Sequence, residues 1–224
     1  INSKVLRFKS SISEARLISV IRKLNKDKKV HGILVQLPLP SHINGHKIIE
    51  EIDSRKDVDG FHPTNVGNLS SGKDALVPCT PLGCYLMIKS VRKNLAGLNA
   101  LVIGRSNLNG KPMAQLLLKE DCTVTIGHSK TKNLKELCKK ADIVVAAVGK
   151  ANLVKGDWVK KGAIVIDVGI NRIEKKKGYK IVGDVEFKEV VKKAKAITPV
   201  PGGVGPVTIA CLLNNTLKAF KNIN

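Results

Sequence analysis

NALVIGRSNLNGKPMAQLLL, residues Asn99 to Leu118, decides how the rest of the chain is read. An apolar run from Ala100 to Ile103 stops at Gly104, mostly polar residues follow, a second glycine stands at Gly110, and a helical pattern begins at Lys111. That order predicts strand, tight loop and helix. Several backbone N–H groups then converge on one spot at a helix N-terminus, where the helix dipole adds partial positive charge and a phosphate is welcome. The spacing is G-x-S-x-x-x-G, which differs from the G-x-G-x-x-G dinucleotide fingerprint. Taken alone, the stretch fits an ordinary βα turn as well as a phosphate cradle, so the flanking sequence must decide.

Downstream the pattern alternates. Strands are predicted at 98–103, 122–126, 142–148 and 163–168, with a weaker one at 180–182. Helices are expected at 112–118 and 133–139, with a short segment around Trp158. Continuous apolar strands joined by helical crossovers argue for a parallel sheet covered on both faces. The fold class is therefore α/β, with a doubly wound, Rossmann-like parallel-sheet nucleotide domain. Its first βα turn lies at the carboxyl edge of the sheet, where ligands bind.

Upstream, Ser11 to Glu14 has capping-box spacing, and Ile12, Ala15, Leu17, Ile18, Ile21 and Leu24 follow at helical intervals. Residues 31–40, HGILVQLPLP, read as a buried strand stopped by prolines. Gln36 is anomalous there: a buried amide must be hydrogen-bonded, as a structural linchpin or as part of a site. A short helix is expected at 45–52 and a structured loop at 56–67. Asp57 and Asp59 flank Val58 and share a face in extended backbone; they serve either as turn carboxylates or as ligands for a cationic edge. Thr80 reads as an N-cap, with Pro81 opening a helix over 82–94. Near the end, ITPVPGGVGPVT (197–208) holds three glycines and three prolines before an apolar helix over 207–220. Prolines stiffen such a loop while glycines allow close ligand approach, as a wall for a flat ligand requires.

Composition bounds the partners. The 224 residues suffice for one large domain or two small ones. No apolar run reaches the length of a membrane-spanning helix, so no membrane partner is expected. Five scattered cysteines, without C-x-x-C or a histidine cluster, read as reduced thiols of an intracellular, cytoplasmic protein with no metal site. The net charge of +21 raises nucleic acid as a partner. Lysines outnumber arginines thirty-two to seven and aromatics are 3% of the chain, so bidentate forks and stacking platforms are scarce. A solvated lysine surface that attracts anionic substrates is the expectation. The chain starts at Ile1 and runs at once into a strand-like VLRF (5–8), which reads as a beginning that is not shown.

Eight motifs in order carry a resemblance: GILVQLPLP from Gly32, KDVDGFHP from Lys56, PCTP from Pro78, GRSNLNGKPMA from Gly104, HSKT from His128, DVGIN from Asp167, GDV from Gly183 and TPVPGGVGP from Thr198. Over essentially its whole length the chain resembles the bifunctional 5,10-methylenetetrahydrofolate dehydrogenase/cyclohydrolase family. The resemblance implies a smaller α/β catalytic, folate-binding domain (residues 1–80 and 206–224) and an NADP-binding domain (81–205), usually paired as a homodimer. It implies oxidation of 5,10-methylenetetrahydrofolate by NADP and hydrolysis of the methenyl product to 10-formyltetrahydrofolate. Polyglutamylated tetrahydrofolates are included among the expected substrates, and the alternative is a non-catalytic folate- or nucleotide-binding relative.

By the same resemblance, Gln36 orients and tunes the catalytic lysine, Leu37 adjoins the substrate, and Asp59 binds the pterin edge. Pro201, Gly202 and Gly203 wall the folate. Gly104, Arg105 and Ser106 form the phosphate loop, Ser129 joins Arg105 on the 2′-phosphate, and Ile170 and Thr208 lie beside the nicotinamide. Two departures stand out. Asn109 replaces an aliphatic residue of the family loop, and the family's Tyr-x-x-x-Lys motif, source of the catalytic lysine, is absent from the 224 residues. The expectation is an N-terminally shortened chain that binds NADP with little activity in either step.

Overall fold

The computed structural model describes residues 1–174 and 178–223. In chain order the first elements are α1 (Glu14–Lys26), α2 (Gly45–Glu50), α3 (Pro63–Ser70) and α4 (Cys79–Val91). There follow β1 (Asn99–Ile103), α5 (Gly110–Leu118), β2 (Thr123–Gly127), α6 (Leu134–Lys140), β3 (Ile143–Ala146), a 3-10 turn (Gly156–Trp158) and β4 (Ile164–Asp167). The chain closes with β5 (Asn171–Glu174), β6 (Tyr179–Val182), α7 (Phe187–Val190), β7 (Ala196–Ile197) and α8 (Val204–Ile223).

Alternate side chains of one strand must cover opposite faces of a sheet, and the opening stretch shows both faces filled. Ala100 and Val102 pack with Ile88, Met113 and Leu117, whereas Leu101 and Ile103 pack with Cys138, Val154 and Val190. Each fully buried aliphatic side chain contributes about 1.5–3 kcal/mol, so β1 is held from both sides. The sheet is wholly parallel in the order β2-β1-β3-β4-β7. Chain order reverses between β1 and β3, which makes their carboxyl ends the topological switch point. The expected doubly wound α/β architecture is therefore present, with strand ends within a few residues of the predicted ones.

A second core gathers Leu17, Ile18 and Ile21 of α1, Ile48 of α2, and Ile33. The Ser13 hydroxyl caps α1 by accepting the Arg16 N–H at 3.3 Å, so the cap is Ser13 and not Ser11. At the other end the buried Lys56 ammonium donates to the carbonyls of Leu24, Asn25 and Asp27 at 3.2, 2.7 and 2.9 Å. A cation there satisfies orphan carbonyls and opposes the helix dipole.

Several expectations fail locally, each for a physical reason. The run at 31–40 forms no strand: Ile33 makes one bridge to Asp57, and the described residues supply no other pairing partner. Leu34 consequently stays 42% exposed. Residues 5–8 likewise run exposed and unpaired. Residues 63–67 of the expected loop at 56–67 are helical, because the His62 ring accepts the Thr64 N–H and caps α3. Helix α4 begins three residues before the predicted start, with Pro78 as its cap. Pro81 is tolerated inside that first turn because N–H groups there have no intrahelical acceptor. Residues 180–182 fall in an antiparallel hairpin of β5 with β6, apart from the parallel sheet. Neither β7, two residues long, nor α7, four residues long, carries a periodic signal.

Candidate functional site

All five loops that leave the parallel strands emerge at one edge, and the β1 loop is shaped by contacts only glycine permits. Gly104 has φ +127°, and a Cβ on it would stand 2.4 Å from the Ala147 carbonyl oxygen; one on Gly110 would stand 2.1 Å from the Gly104 carbonyl oxygen. Loop, helix start and β3 therefore press together at the switch point. The Ser106 hydroxyl accepts the Asn109 N–H at 3.1 Å and the Ser106 carbonyl accepts the Lys111 N–H at 3.1 Å, closing the loop from inside. Among the described residues, the N–H groups of Arg105, Ser106, Asn107 and Leu108 have no protein acceptor. Asn109 itself is half-buried at the foot of the loop.

Register sets Arg105 and Ser129 at the carboxyl ends of neighbouring strands. Ile103 pairs with Gly127, the Gly104 N–H donates to the Gly127 carbonyl at 2.8 Å, and each of the two residues lies two positions beyond the paired ends. Both are exposed, and Arg105 makes no ion pair among the described residues. The HSKT turn is fixed by the Thr131 hydroxyl, which accepts the His128 N–H at 2.8 Å. These groups fit a phosphorylated nucleotide: free N–H donors, a dipole, an unpaired guanidinium and a hydroxyl share one edge.

On the other side of the switch point two buried aspartates organise the loops after β3 and β4. Asp167 accepts N–H groups of Gly169, Asp184 and Val185 at 3.1, 2.8 and 2.9 Å, and its own N–H donates to the Thr198 hydroxyl at 2.8 Å. Burial pushes the Asp167 carboxyl up to about 6 against the pull of those bonds. Ile170, 72% exposed, rides on this anchored loop. Thr198 also begins the glycine- and proline-rich loop whose Pro201 and Gly202 are exposed and Gly203 half-buried. None of the contacts of Asp184, Thr198 and Asn171 is reachable by local sequence reasoning; the one signal is an aspartate within two residues of a glycine in both DVG and GDV.

The Asp57 and Asp59 alternatives resolve differently. Asp57, 1% exposed, is a turn carboxylate accepting the Gly60 and His62 N–H groups and the Asn65 amide at 3.2, 2.8 and 3.0 Å. The Asp59 carboxyl receives no hydrogen bond among the described residues, and burial, then the Asp57 charge, pushes it up to about 6. It is held in place by its neighbours. Asn215 of α8 donates to the Val58 and Val77 carbonyls at 2.9 and 2.8 Å, while a Cβ on Gly60 would stand 2.5 Å from the Leu76 carbonyl oxygen. Cys79, beside this site, is pushed up to about 12 by burial, so its thiol stays protonated and inert.

Thr208, half-buried on α8, donates to the Val204 carbonyl at 3.0 Å and lies 3.2 Å from the Thr80 hydroxyl, tying α8 to α4. Gln36 corrects the sequence reading: it is exposed, with its amide donating to the adjacent Leu37 carbonyl at 3.1 Å. The reason is the unformed strand, which leaves no interior around it. Its carboxamide oxygen has no donor among the described residues.

Two family models match the chain. The tetrahydrofolate dehydrogenase/cyclohydrolase NAD(P)-binding domain matches residues 78–224, and the catalytic domain of the same name matches residues 1–59. The bifunctional protein FolD of Pelagibacter ubique is 65% identical over 221 residues, covering 99% of this chain and 77% of that relative. Of solved structures, the Campylobacter jejuni bifunctional enzyme FolD, a methylenetetrahydrofolate dehydrogenase/cyclohydrolase, aligns with TM-score 0.91 and 53% identity over 95% of this chain and 75% of its own. The Trypanosoma brucei dehydrogenase-cyclohydrolase, solved with NADP cofactor and an inhibitor, aligns with TM-score 0.91 and 40% identity over 95% of this chain and 74% of its own.

Proposed function

The chain belongs to the tetrahydrofolate dehydrogenase/cyclohydrolase family, and from that membership we propose how its own residues divide the work. It is an NADP-dependent methylenetetrahydrofolate dehydrogenase and methenyltetrahydrofolate cyclohydrolase of one-carbon folate metabolism. When bound, NADP supplies the hydride acceptor. The Arg105 to Leu108 N–H groups hold its phosphates in the cradle between Gly104 and Gly110, aided by the α5 dipole. Arg105 and Ser129 hold the 2′-phosphate; Ile170 and Thr208 border the nicotinamide.

The folate lies between that edge and Asp59. A desolvated carboxylate without a protein donor pairs strongly with the N–H donors of a pterin edge. Pro201, Gly202 and Gly203 wall the ring and Leu37 closes the far side. Gln36, through its unengaged carboxamide oxygen, orients the lysine that the family places in Tyr-x-x-x-Lys. We divide the chain into a folate-binding part, residues 1–80 and 206–224, and a cofactor part, residues 81–205. The reading extends to a homodimer, to polyglutamylated folates attracted by the +21 charge, and to a cytoplasmic setting in keeping with five free, buried cysteines.

The observation that carries this reading is the β1 loop at the switch point, where free N–H groups meet the unpaired Arg105. The test is to supply 5,10-methylenetetrahydrofolate and NADP to the chain joined to an upstream segment that carries the family's Tyr-x-x-x-Lys, and to follow methenyl absorbance. A rise that depends on both is the expected result. Binding of both ligands without a rise overturns it in favour of a non-catalytic folate- and nucleotide-binding relative.

A further inference from the structure

Asp184 is fully buried and has no cationic partner among the described residues, yet its two oxygens are saturated. Oδ2 accepts the Val148 and Gly149 N–H groups at 2.7 and 3.0 Å; Oδ1 accepts the Lys150 N–H at 2.8 Å and the Asn171 amide at 2.9 Å. Three consecutive N–H groups converging on one anion form a backbone nest, here filled by the protein's own carboxylate. Gly149, at φ +65°, supplies the turn that aims them.

The carboxylate thus ties two loops that do not otherwise pair. Val148 to Lys150 follows β3, and Gly169 to Asn171 follows β4. The Asp184 N–H in turn donates to Asp167, which also holds Gly169. There is no slack in the joint. A Cβ on Gly169 would stand 2.2 Å from Asp184 Oδ1, and one on Gly183 would stand 1.8 Å from Asp167 Oδ2.

Both loops lie on the β3/β4 side of the switch point, whereas Arg105 and Ser129 lie on the β1/β2 side. A dinucleotide laid across such an edge puts one half on each side. With the 2′-phosphate assigned to Arg105, the half over β3 and β4 is the nicotinamide. Ile170 stands there as a large apolar side chain, 72% exposed and carried between two anchored residues.

We propose that Asp184 is a positioning residue for the nicotinamide half of the cofactor, acting through the Val148–Lys150 and Gly169–Asn171 loops without touching the cofactor itself. The proposal rests on the cofactor reading above. It predicts a split that a merely structural role does not produce: loss on one half of the ligand only.

The test compares NADP with adenosine 2′,5′-bisphosphate, which lacks the nicotinamide half, by calorimetry on the whole chain. Asp184→Asn keeps the shape but turns an amide N–H₂ toward N–H donors, and it should weaken NADP at least about tenfold while bisphosphate affinity stays within about twofold. Asn171→Ala removes a single rim bond and should weaken NADP about threefold with the same split. If Asp184→Asn fails to fold by circular dichroism, Asn171→Ala alone decides. Equal weakening of both ligands, or no weakening of NADP, overturns the proposal. A parent chain that binds neither ligand overturns the cofactor reading itself, a result visible before any variant is made.

Discussion

Asp59 carries a cost that its function explains. Its carboxyl is raised to about 6, above the unfolded value, so the folded state holds the proton more tightly than the unfolded chain. The stabilisation from the protonated form is complete below the unfolded value and is lost as pH rises through about 6. At neutral pH the ionised group therefore opposes folding, by about 1–2 kcal/mol after allowance for partial solvent screening. Asp59→Asn should raise the melting temperature at pH 7 by about 2–6 °C and leave it unchanged near pH 3, as thermal scans at the two pH values would show. The same variant should lose folate affinity at pH 7, and in the parent chain that affinity should rise with pH through about 6. Arg105→Ala should weaken NADP by about 2 kcal/mol, a charge-assisted bidentate contact, and NAD by little; equal loss for both cofactors in titrations would remove Arg105 from the 2′-phosphate. Single residues were unevenly legible. Asp57 and Asp59 share a sequence context and divide into a turn carboxylate and an unpartnered one only through Asn65 and the backbone of Gly60 and His62. The contacts of Asp184 were invisible because its partners at Val148 to Lys150 lie 34 to 36 positions away.

At the scale of elements, the strand-loop-helix stretch was legible because each boundary has a local cause. Apolar residues fill both faces of β1, Gly104 adopts a φ closed to other residues, and Gly110 starts α5 where a side chain would strike the loop. Gly110→Ala cannot be accommodated at 2.1 Å from the Gly104 carbonyl without moving the cradle. It should cost about 2–3 kcal/mol of stability and at least about tenfold in NADP affinity. Gly67→Ala is the control: it lies in α3 with nothing within 4 Å of the added Cβ, and it should stabilise by about 0.5–1 kcal/mol with cofactor binding unchanged. Chemical denaturation and titration of both variants check the pair. Residues 31–40 mark where such reading ends. Their composition is that of a strand, but a strand exists only with a partner, and pairing is a property of distant chain. The same holds for β7, recruited by its neighbour β4 over two residue pairs.

Across the whole molecule, the parallel sheet was legible from the alternation of strands and helices that begins near residue 98. The return of the last helix to the early residues was not. Asn215, buried on α8, reaches back 157 positions to the Val58 carbonyl, and the Thr208–Thr80 hydroxyl contact spans 128. Net charge, by contrast, needs no fold to be read. Thirty-nine cations face eighteen acids, so at least twenty-one cations have no acidic partner of their own, and their fields add at distance. A polyglutamate tail carries several carboxylates beyond the pterin and therefore samples that field, while the pterin contact at Asp59 is short-ranged. Screening separates the two contributions, since the Debye length falls from about 30 Å at 0.01 M to about 4 Å at 0.5 M salt. A pentaglutamate folate should bind about tenfold tighter than the monoglutamate at 0.02 M salt and within about twofold of it at 0.5 M, measured by titration of the NADP-bound chain. If the ratio does not change with salt, the tail is held by a fixed contact and the lysine surface plays no part in capturing it.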